Sequence, residues 1–305
     1  MTEVVTLGET MVAMRADGLL RLGTTLRASI AGAESTVAIG LSRLGHSTRW
    51  AGRVGRDEPG ELVLRTLRAE DVDVSTVEYD SAPTGLILFE QRLPEVTRVQ
   101  YYRAGSAGSC LGIEDVAATL DSGVRVVHLT GITPALGERP RAAVAAALAR
   151  ARELGATVSF DVNFRSKLWQ ADDAARVLTP LARQANVVIG SANELRLVGG
   201  SQELLAAGVG EVVTKLGAEG ASVCTVDGEW SAPGHRVPVV DSIGAGDSFT
   251  SGYLSALLDG LPLPGRLARG NACGAFAVAT SGDWEGLPTR AELELLAAGE
   301  GAALR

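Results

Sequence analysis

The sequence predicts an α/β fold with a mostly parallel central sheet, and three observations carry that prediction. Short, continuous apolar runs recur along the chain, as in strands buried on both faces. Helical patterns alternate with them, the order expected of parallel strands joined by crossovers. The chain is also long enough, at 305 residues with 46% hydrophobic, to bury a substantial core. In order, residues 4–7 are a β-prone run closed by Gly8, and residues 34–44 and 58–70 carry helical periodicity. Residues 19–30 and 84–102 interleave polar and apolar side chains with no helix between the runs, which reads as an antiparallel excursion. Strand-like runs return at 124–129, 157–160, 187–189 and 211–214, with helical patterns at 139–154, 174–182 and 193–205 between them. The turn Asp227-Gly228 inside 221–237 signals a hairpin, and the chain from Ala245 on is mostly helix. The expectation is one domain over 1–305, with a small β lid formed by about 11–31 and 82–107.

Composition excludes several functions. Lys and Arg number 28 against 36 Asp and Glu, a net charge of −8, which lacks the basic footprint that nucleic acid requires. Only Lys167 and Lys215 are lysines, so the positive charge is mostly arginine, suited to forked recognition of carboxylate or phosphate. Cys110, Cys224 and Cys273 are odd in number and lack CxxC spacing, which argues against disulfides and zinc and suits a reducing cytoplasm. The N-terminus lacks the basic and apolar regions of an export signal, and the Ala-rich stretch 142–149 is too short for a membrane span, so neither export nor membrane is expected.

The most informative run is Asp241-Ser242-Ile243-Gly244-Ala245-Gly246-Asp247, followed by an amphipathic helix. The first amides of a helix lack partners and sit at the positive end of its dipole, so Gly244, Ala245 and Gly246 can cradle an anion. Asp247 in the first turn can accept a proton from a hydroxyl beside that anion. The competing reading of a bare Gly-x-Gly-Asp run is a turn followed by a first-turn acid, and the rest of the chain decides between them.

Residues 241–254 resemble the C-terminal signature of the ribokinase-like (PfkB) carbohydrate kinases. The run Ala31-Gly32-Ala33-Glu34-Ser35-Thr36-Val37-Ala38, with Leu44-Gly45 and the run from Gly52 to Gly60, is similar to the family's N-terminal signature. Three further runs, 99–107, 129–136 and 161–169, resemble the 2-keto-3-deoxygluconate kinases within it. The resemblance implies a three-layer α/β/α domain with a β lid, and transfer of the ATP γ-phosphoryl to a primary hydroxyl of a sugar acid. A kinase for a neutral ketose such as fructose is the alternative, and a non-catalytic sugar-sensing module a more distant one.

Roles follow residue by residue. Asp247 is implied as general base, with Gly244, Ala245 and Gly246 as anion hole. Gly32, Ala33, Glu34, Thr36, Tyr102, Arg103 and Arg165 are implied at the sugar, the two arginines as a carboxylate clamp. Without the motif context, Arg103 reads equally as a solvated lid residue and Arg165 as an ion pair to Asp161. Asn163, Arg165, Ser191, Lys215, Gly217, Gly220 and Asn271 are implied at the nucleotide together with Gly244 and Gly246. Glu194 is implied at water-bound Mg²⁺, with a monovalent cation as a further candidate ion, and helix capping competes for Ser191. Two positions depart from the family pattern: Thr36 stands where Asn is usual, and Ile87 where related kinases often carry tyrosine. Both are expected to face the sugar and to shift its identity. No GxxxxGK[ST], HExxH or GxSxG run occurs, and His46, His128 and His235 are scattered and given no role. The lid's open sheet edge suggests a homodimer or higher homo-oligomer.

Overall fold

In the computed structural model, which describes residues 2–93 and 96–297, the chain opens with β1 (Val4–Leu7), buried on both faces. Strands β2 (Met11–Ala16) and β3 (Leu26–Ala31) form a hairpin, and α1 (Ala33–Arg43) follows. Next come β4 (Thr48–Ala51), β5 (Arg53–Gly55), α2 (Glu58–Ala69) and β6 (Glu78–Asp80). Asp57 caps α2 by accepting the Gly60 amide at 2.8 Å, with Pro59 in the first turn. A second hairpin joins β7 (Leu86–Leu93) to β8 (Val96–Tyr102), and α3 (Ile113–Thr119) leads into β9 (Val126–Thr130). The chain then alternates through α4 (Glu138–Leu154), β10 (Thr157–Asp161), α5 (Ala171–Ala182) and β11 (Val187–Ser191). After α6 (Ala192–Leu197) and α7 (Gly200–Ala206) come β12 (Glu211–Lys215), β13 (Ala221–Thr225) and β14 (Gly228–Ala232). The helices α8 (Ala245–Leu258) and α9 (Leu263–Val278) follow.

The main sheet has the order β14-β13-β12-β11-β10-β9-β1-β4, parallel from β4 to β12 with two antiparallel strands at one edge. Helices cover both faces. Val5, Leu7, Val127 and Leu129 pack with α4 and α5 residues such as Val144, Leu148 and Leu178 on one side. Val4 and Val126 pack with Val37, Leu41 and Leu254 of α1 and α8 on the other. The alternation of neighbouring valines between two cores is the strand period made visible, and it gives the three α/β/α layers. From β1 the chain first adds β4 on one side and later β9 on the other, so the order reverses at β1, where α/β sheets open a crevice beyond the strands' carboxyl ends.

A separate four-stranded sheet, β3-β2-β7-β8, stands over that crevice. Its strands fall in the two expected lid ranges. The two hairpins are antiparallel as expected, but they join through β2 and β7 in parallel, Val12 opposite Leu86 and Arg15 opposite Phe89. The helix expected over 193–205 is two, because Gly199 and Gly200 adopt φ of 106° and 78° and end α6 after one and a half turns. Strand β4, for which the sequence offered no separate signal, is the last strand beside β1; it is largely buried, and its outer side is bridged to Asp73, whose carbonyl accepts the Trp50 N–H at 3.0 Å.

Candidate active site

The crevice is a cleft of about 430 Å³, a size suited to a small ligand. Its floor comes from the ends of β10 and β12 and the start of α8, and its outer wall from Met11, Ile87, Phe89, Val99 and Tyr101 of the small sheet. Gly244 caps α8 with φ 76°, and a Cβ there would lie 2.0 Å from the Asp283 carbonyl oxygen. Only glycine fits both constraints. The first intrahelical bond is Ser248 N–H to Gly244 O at 2.8 Å, so the preceding amides of the first turn have no intrahelical acceptor. Gly244 and Gly246 face the cleft, whereas Ala245 does not line it.

Asp247 lies on the cleft floor and is only partly buried. Asn163 Nδ2 donates to its Oδ1 at 3.2 Å, from a left-handed backbone (φ 38°) at the end of β10 that asparagine tolerates better than most residues. Burial and the neighbouring Asp161 charge raise the Asp247 carboxyl to about 6, against the pull of Lys215, Arg165 and the Asn163 bond. Asp161 is fully buried and accepts from Lys215 Nζ at 2.6 Å and Thr250 Oγ1 at 3.2 Å. Burial weakens the Lys215 ammonium, but Asp161 and Asp247 outweigh it and hold its pKa above the usual lysine value. That ammonium would be 3.3 Å from a Cβ on Gly246, so a fixed cation borders the amide cradle.

The other expected sugar contacts divide. Gly32 and Ala33 line the cleft, with Arg103 and Arg165. Arg165 is exposed to the cleft and has no hydrogen bond or ion pair among the described residues. The alternative pairing with Asp161 is not formed, because Lys215 occupies that carboxylate. Arg103 is buried rather than solvated: its Nε donates to Glu9 Oε2 at 2.7 Å and its Nη2 pairs with the same carboxylate, while Ser106 Oγ donates to Glu9 Oε1.

Three of the residues expected at the sugar, Glu34, Thr36 and Tyr102, do not line the cleft. Tyr102 is exposed and does not line the cleft, its hydroxyl donating to Gln100. Strand alternation turns Tyr101 inward instead, opposite Ile87. Glu34 and Thr36 are buried behind the cleft wall, since α1 presents only its first residues to the ligand space. Glu34 Oε1 accepts from Thr130 Oγ1 at 2.6 Å and Thr133 Oγ1 at 2.9 Å, and burial lifts its carboxyl to about 7. Of the two departures from the family pattern, Ile87 therefore faces the ligand space and Thr36 does not.

The residues expected at the nucleotide also divide. Lys215 lines the cleft, Gly217 (φ 62°) is open with nothing near its Cβ position, and Gly220 (φ 100°) packs against Ala232 O. Asn271 Nδ2 donates to Ala232 O and Pro233 O, both at 3.0 Å, and so staples α9 to the end of β14. Ser191 does not line the cleft: it caps α6, its N–H and hydroxyl both donating to Glu194 Oε2 at 2.7 and 2.8 Å. Glu194 does face the cleft, with Oε1 also accepting the Phe164 N–H at 2.9 Å. Its remaining lone pairs suit water rather than a bare ion, and no cluster of three or more metal-binding side chains occurs among the described residues. That donor set fits a magnesium ion arriving on the nucleotide's phosphates, its waters facing Glu194.

Sequence reasoning missed Glu9, Ile132, Tyr101 and Asp283 at or around this site. For Tyr101 the period of two signalled that only one of the paired tyrosines could face inward, without saying which. Glu9 and Asp283 carry no local signal, because their partners lie 94 and 268 residues away.

A family model described as pfkB family carbohydrate kinase matches residues 1–290. A 2-dehydro-3-deoxygluconokinase of Bacillus subtilis is 39% identical, with 95% of this chain and 94% of that protein covered. One of Thermoproteus tenax is 35% identical, covering 97% and 94%. The crystal structure of a 2-dehydro-3-deoxygluconokinase from Thermotoga maritima superposes with a TM-score of 0.87 at 25% identity, covering 98% of both chains.

Proposed function

The chain belongs to the pfkB family of carbohydrate kinases, and from that premise we propose that it transfers the γ-phosphoryl of ATP to the primary hydroxyl of a sugar acid, 2-keto-3-deoxygluconate, giving the 6-phosphate. The observation that carries this reading is the cleft floor: a part-exposed carboxylate, Asp247, beside open helix-end amides, with the unpaired guanidinium of Arg165 in the same cleft. Asn163 holds one oxygen of Asp247 and leaves the other free to accept the acceptor's hydroxyl proton. The resulting alkoxide attacks phosphorus as the bond to the ADP oxygen breaks. Amides of the first turn of α8 and the Lys215 ammonium face the charge on the transferring group. Glu194 would hold, through water, a magnesium ion carried in with the nucleotide, which would supply neutralisation of phosphate charge. Asp161 does not touch the reaction: it fixes Lys215 and, by its charge, keeps Asp247 a stronger base.

At the other end of the acceptor, Arg165, unpaired among the described residues, supplies a cation for a carboxylate. Arg103 shares its charge with Glu9 and offers its remaining N–H groups as directional donors. The wall of Ile87, Phe89 and Tyr101 covers the sugar's carbon skeleton, so the small sheet acts as the lid of a single domain. Lys215, Gly217, Gly220 and Asn271 mark the nucleotide strip, and a monovalent cation is left to a salt-dependence assay. The exposed apolar residues of the lid support a homodimer, and the three free thiols suit a reducing cytoplasm. Among the described residues no helix is long and apolar enough to cross a membrane.

The deciding experiment measures ADP release with 2-keto-3-deoxygluconate, 2-keto-3-deoxygalactonate and fructose, in the wild type and in Arg165→Ala. The acids are expected to be preferred, with kcat/KM for the acids falling by about 10²-fold or more in the variant and that for fructose changing little, the signature of a lost charge-assisted pair. Fructose as the better acceptor, with equal losses for all three, would transfer the assignment to a neutral ketose.

A further inference from the structure

We propose that Arg15, on the inner lid strand β2, is a positioning residue that locks the amide cradle into its reactive shape when the lid is down; the proposal rests on the kinase reading above. Its guanidinium bridges two loops that do not belong to the lid. Nη1 donates to Asp241 Oδ2 at 2.9 Å and Nη2 to Asp283 Oδ1 at 2.7 Å, with all three side chains at most 15% exposed. The guanidinium also lies 4.2 Å from the centroid of the Phe89 ring, its cross-strand neighbour on β7 and part of the cleft wall. One planar fork therefore reads lid, cradle loop and the loop after α9 together, which a point charge could not do.

The two carboxylates are not peripheral to the cradle. Asp241 opens the loop that becomes Gly244-Ala245-Gly246, and its Oδ1 accepts the Ile243 N–H at 3.1 Å. Its Oδ2 accepts the Gly282 N–H at 3.3 Å, which ties that loop to the one carrying Asp283. The Asp283 carbonyl lies in the space a Cβ on Gly244 would fill, so the backbone of the cradle rests on it. Moving Asp283 must move Gly244. Asp283 also lines the cleft, and burial opposes its ionisation, with the Glu285 and Asp247 charges adding to that and Arg15 countering it. With Arg15 in place that charge is compensated and both loops are drawn to the lid; without it, Asp241 and Asp283 lose their shared cation beside a site that must receive a polyphosphate. Lid closure over the acceptor and assembly of the anion hole are thus one event.

The test uses the full chain with Arg15→Met, Arg15→Lys, Asp283→Ala and the Met/Ala double variant, on the acceptor the wild type phosphorylates best. Arg15→Met and Asp283→Ala are each expected to lower kcat at least tenfold while KM for ATP stays within twofold. The double variant should be no slower than the worse single, because both changes break one unit. Arg15→Lys should recover only part of the loss. Hydrogen exchange read on the same proteins should show faster exchange in β7 and β8 in Arg15→Met. Losses that multiply in the double variant, full kcat in Arg15→Met, or unchanged exchange in the lid strands would overturn the proposal. A wild type inactive on every acceptor would instead remove the kinase reading, with exchange still judging the latch.

Discussion

In the proposed reaction Asp247 owes its basicity to its surroundings rather than to its residue type. An ordinary aspartate is too weak a base to take a hydroxyl proton efficiently, and burial beside Asp161 raises it to about 6. Asp247→Asn should fold and bind ATP while kcat falls about 10²- to 10⁴-fold, checked by equilibrium ATP binding alongside turnover. Since the working form is ionised, kcat/KM in the wild type should fall as pH drops below about 6. Asn163→Leu removes a bond that favours the ionised form and should move that limb upward. Glu34 offers a second titration, in stability. Its folded pKa of about 7 lies above the ordinary 4.5, so the fold is favoured most below pH 4.5 and that contribution is lost as pH rises through 7. Glu34→Gln keeps an acceptor for Thr130 and Thr133 without a charge to bury. Relative to the wild type it should gain stability between pH 5 and pH 8, by up to roughly 3 kcal/mol at full ionisation. Denaturant midpoints at the two pH values check this, and an unchanged difference would refute it.

At the scale of elements, the start of α8 is proposed to carry the chemistry, and its first residues approach neighbouring backbone closely. Gly244→Ala places a Cβ against the Asp283 carbonyl at a positive φ, and the cradle must shift to admit it. A kcat loss of about 10²-fold or more is expected, the cost of misplacing anion-hole donors. Gly217→Ala also sits at positive φ, but nothing lies near its Cβ position, so it should cost only about 1 kcal/mol of stability from backbone strain. Comparing thermal unfolding and kcat for the pair separates a glycine of the anion cradle from one placed at the nucleotide strip. The lid strands show the limits of local reading. Their polar and apolar interleaving was plain in the sequence, but the parallel join of β2 to β7 was not, because register between hairpins is set by what each buries on the cleft side. The break between α6 and α7 was written in Gly199-Gly200, a pair that periodicity alone bridges over.

At the scale of the whole molecule, six of the twelve large exposed apolar side chains among the described residues lie on the lid's strands or turns: Leu20, Leu22, Leu26, Leu93, Val96 and Tyr102, with Leu22 fully exposed. Such a concentration on a sheet with open edges is what a second copy would cover. Leu22→Asp combined with Tyr102→Asp should reduce the species in solution to the 31.5 kDa monomer, as measured by light scattering. An unchanged mass above that value would place the interface elsewhere. The acidic surface predicts no gain of affinity for nucleic acid in either state.

What the sequence determined by itself was whatever short-range chemistry encodes. The apolar runs became β1 and β9 to β12, the helical patterns became α1, α2, α4 and α5, and the small residues before Asp247 became a helix start open to an anion. What only the tertiary structure decided was which side chains meet. It turned Tyr101 rather than Tyr102 to the ligand, buried Glu34 and Thr36 behind the wall, gave Ser191 to a helix cap, and divided Arg103 from Arg165 by pairing one with Glu9 and leaving the other free. A strand's period fixes that neighbours point apart, not which face becomes the cleft. The partner of a buried charge is chosen by packing across the fold, since the cost of leaving it unpaired is met wherever in the chain the opposite charge happens to arrive.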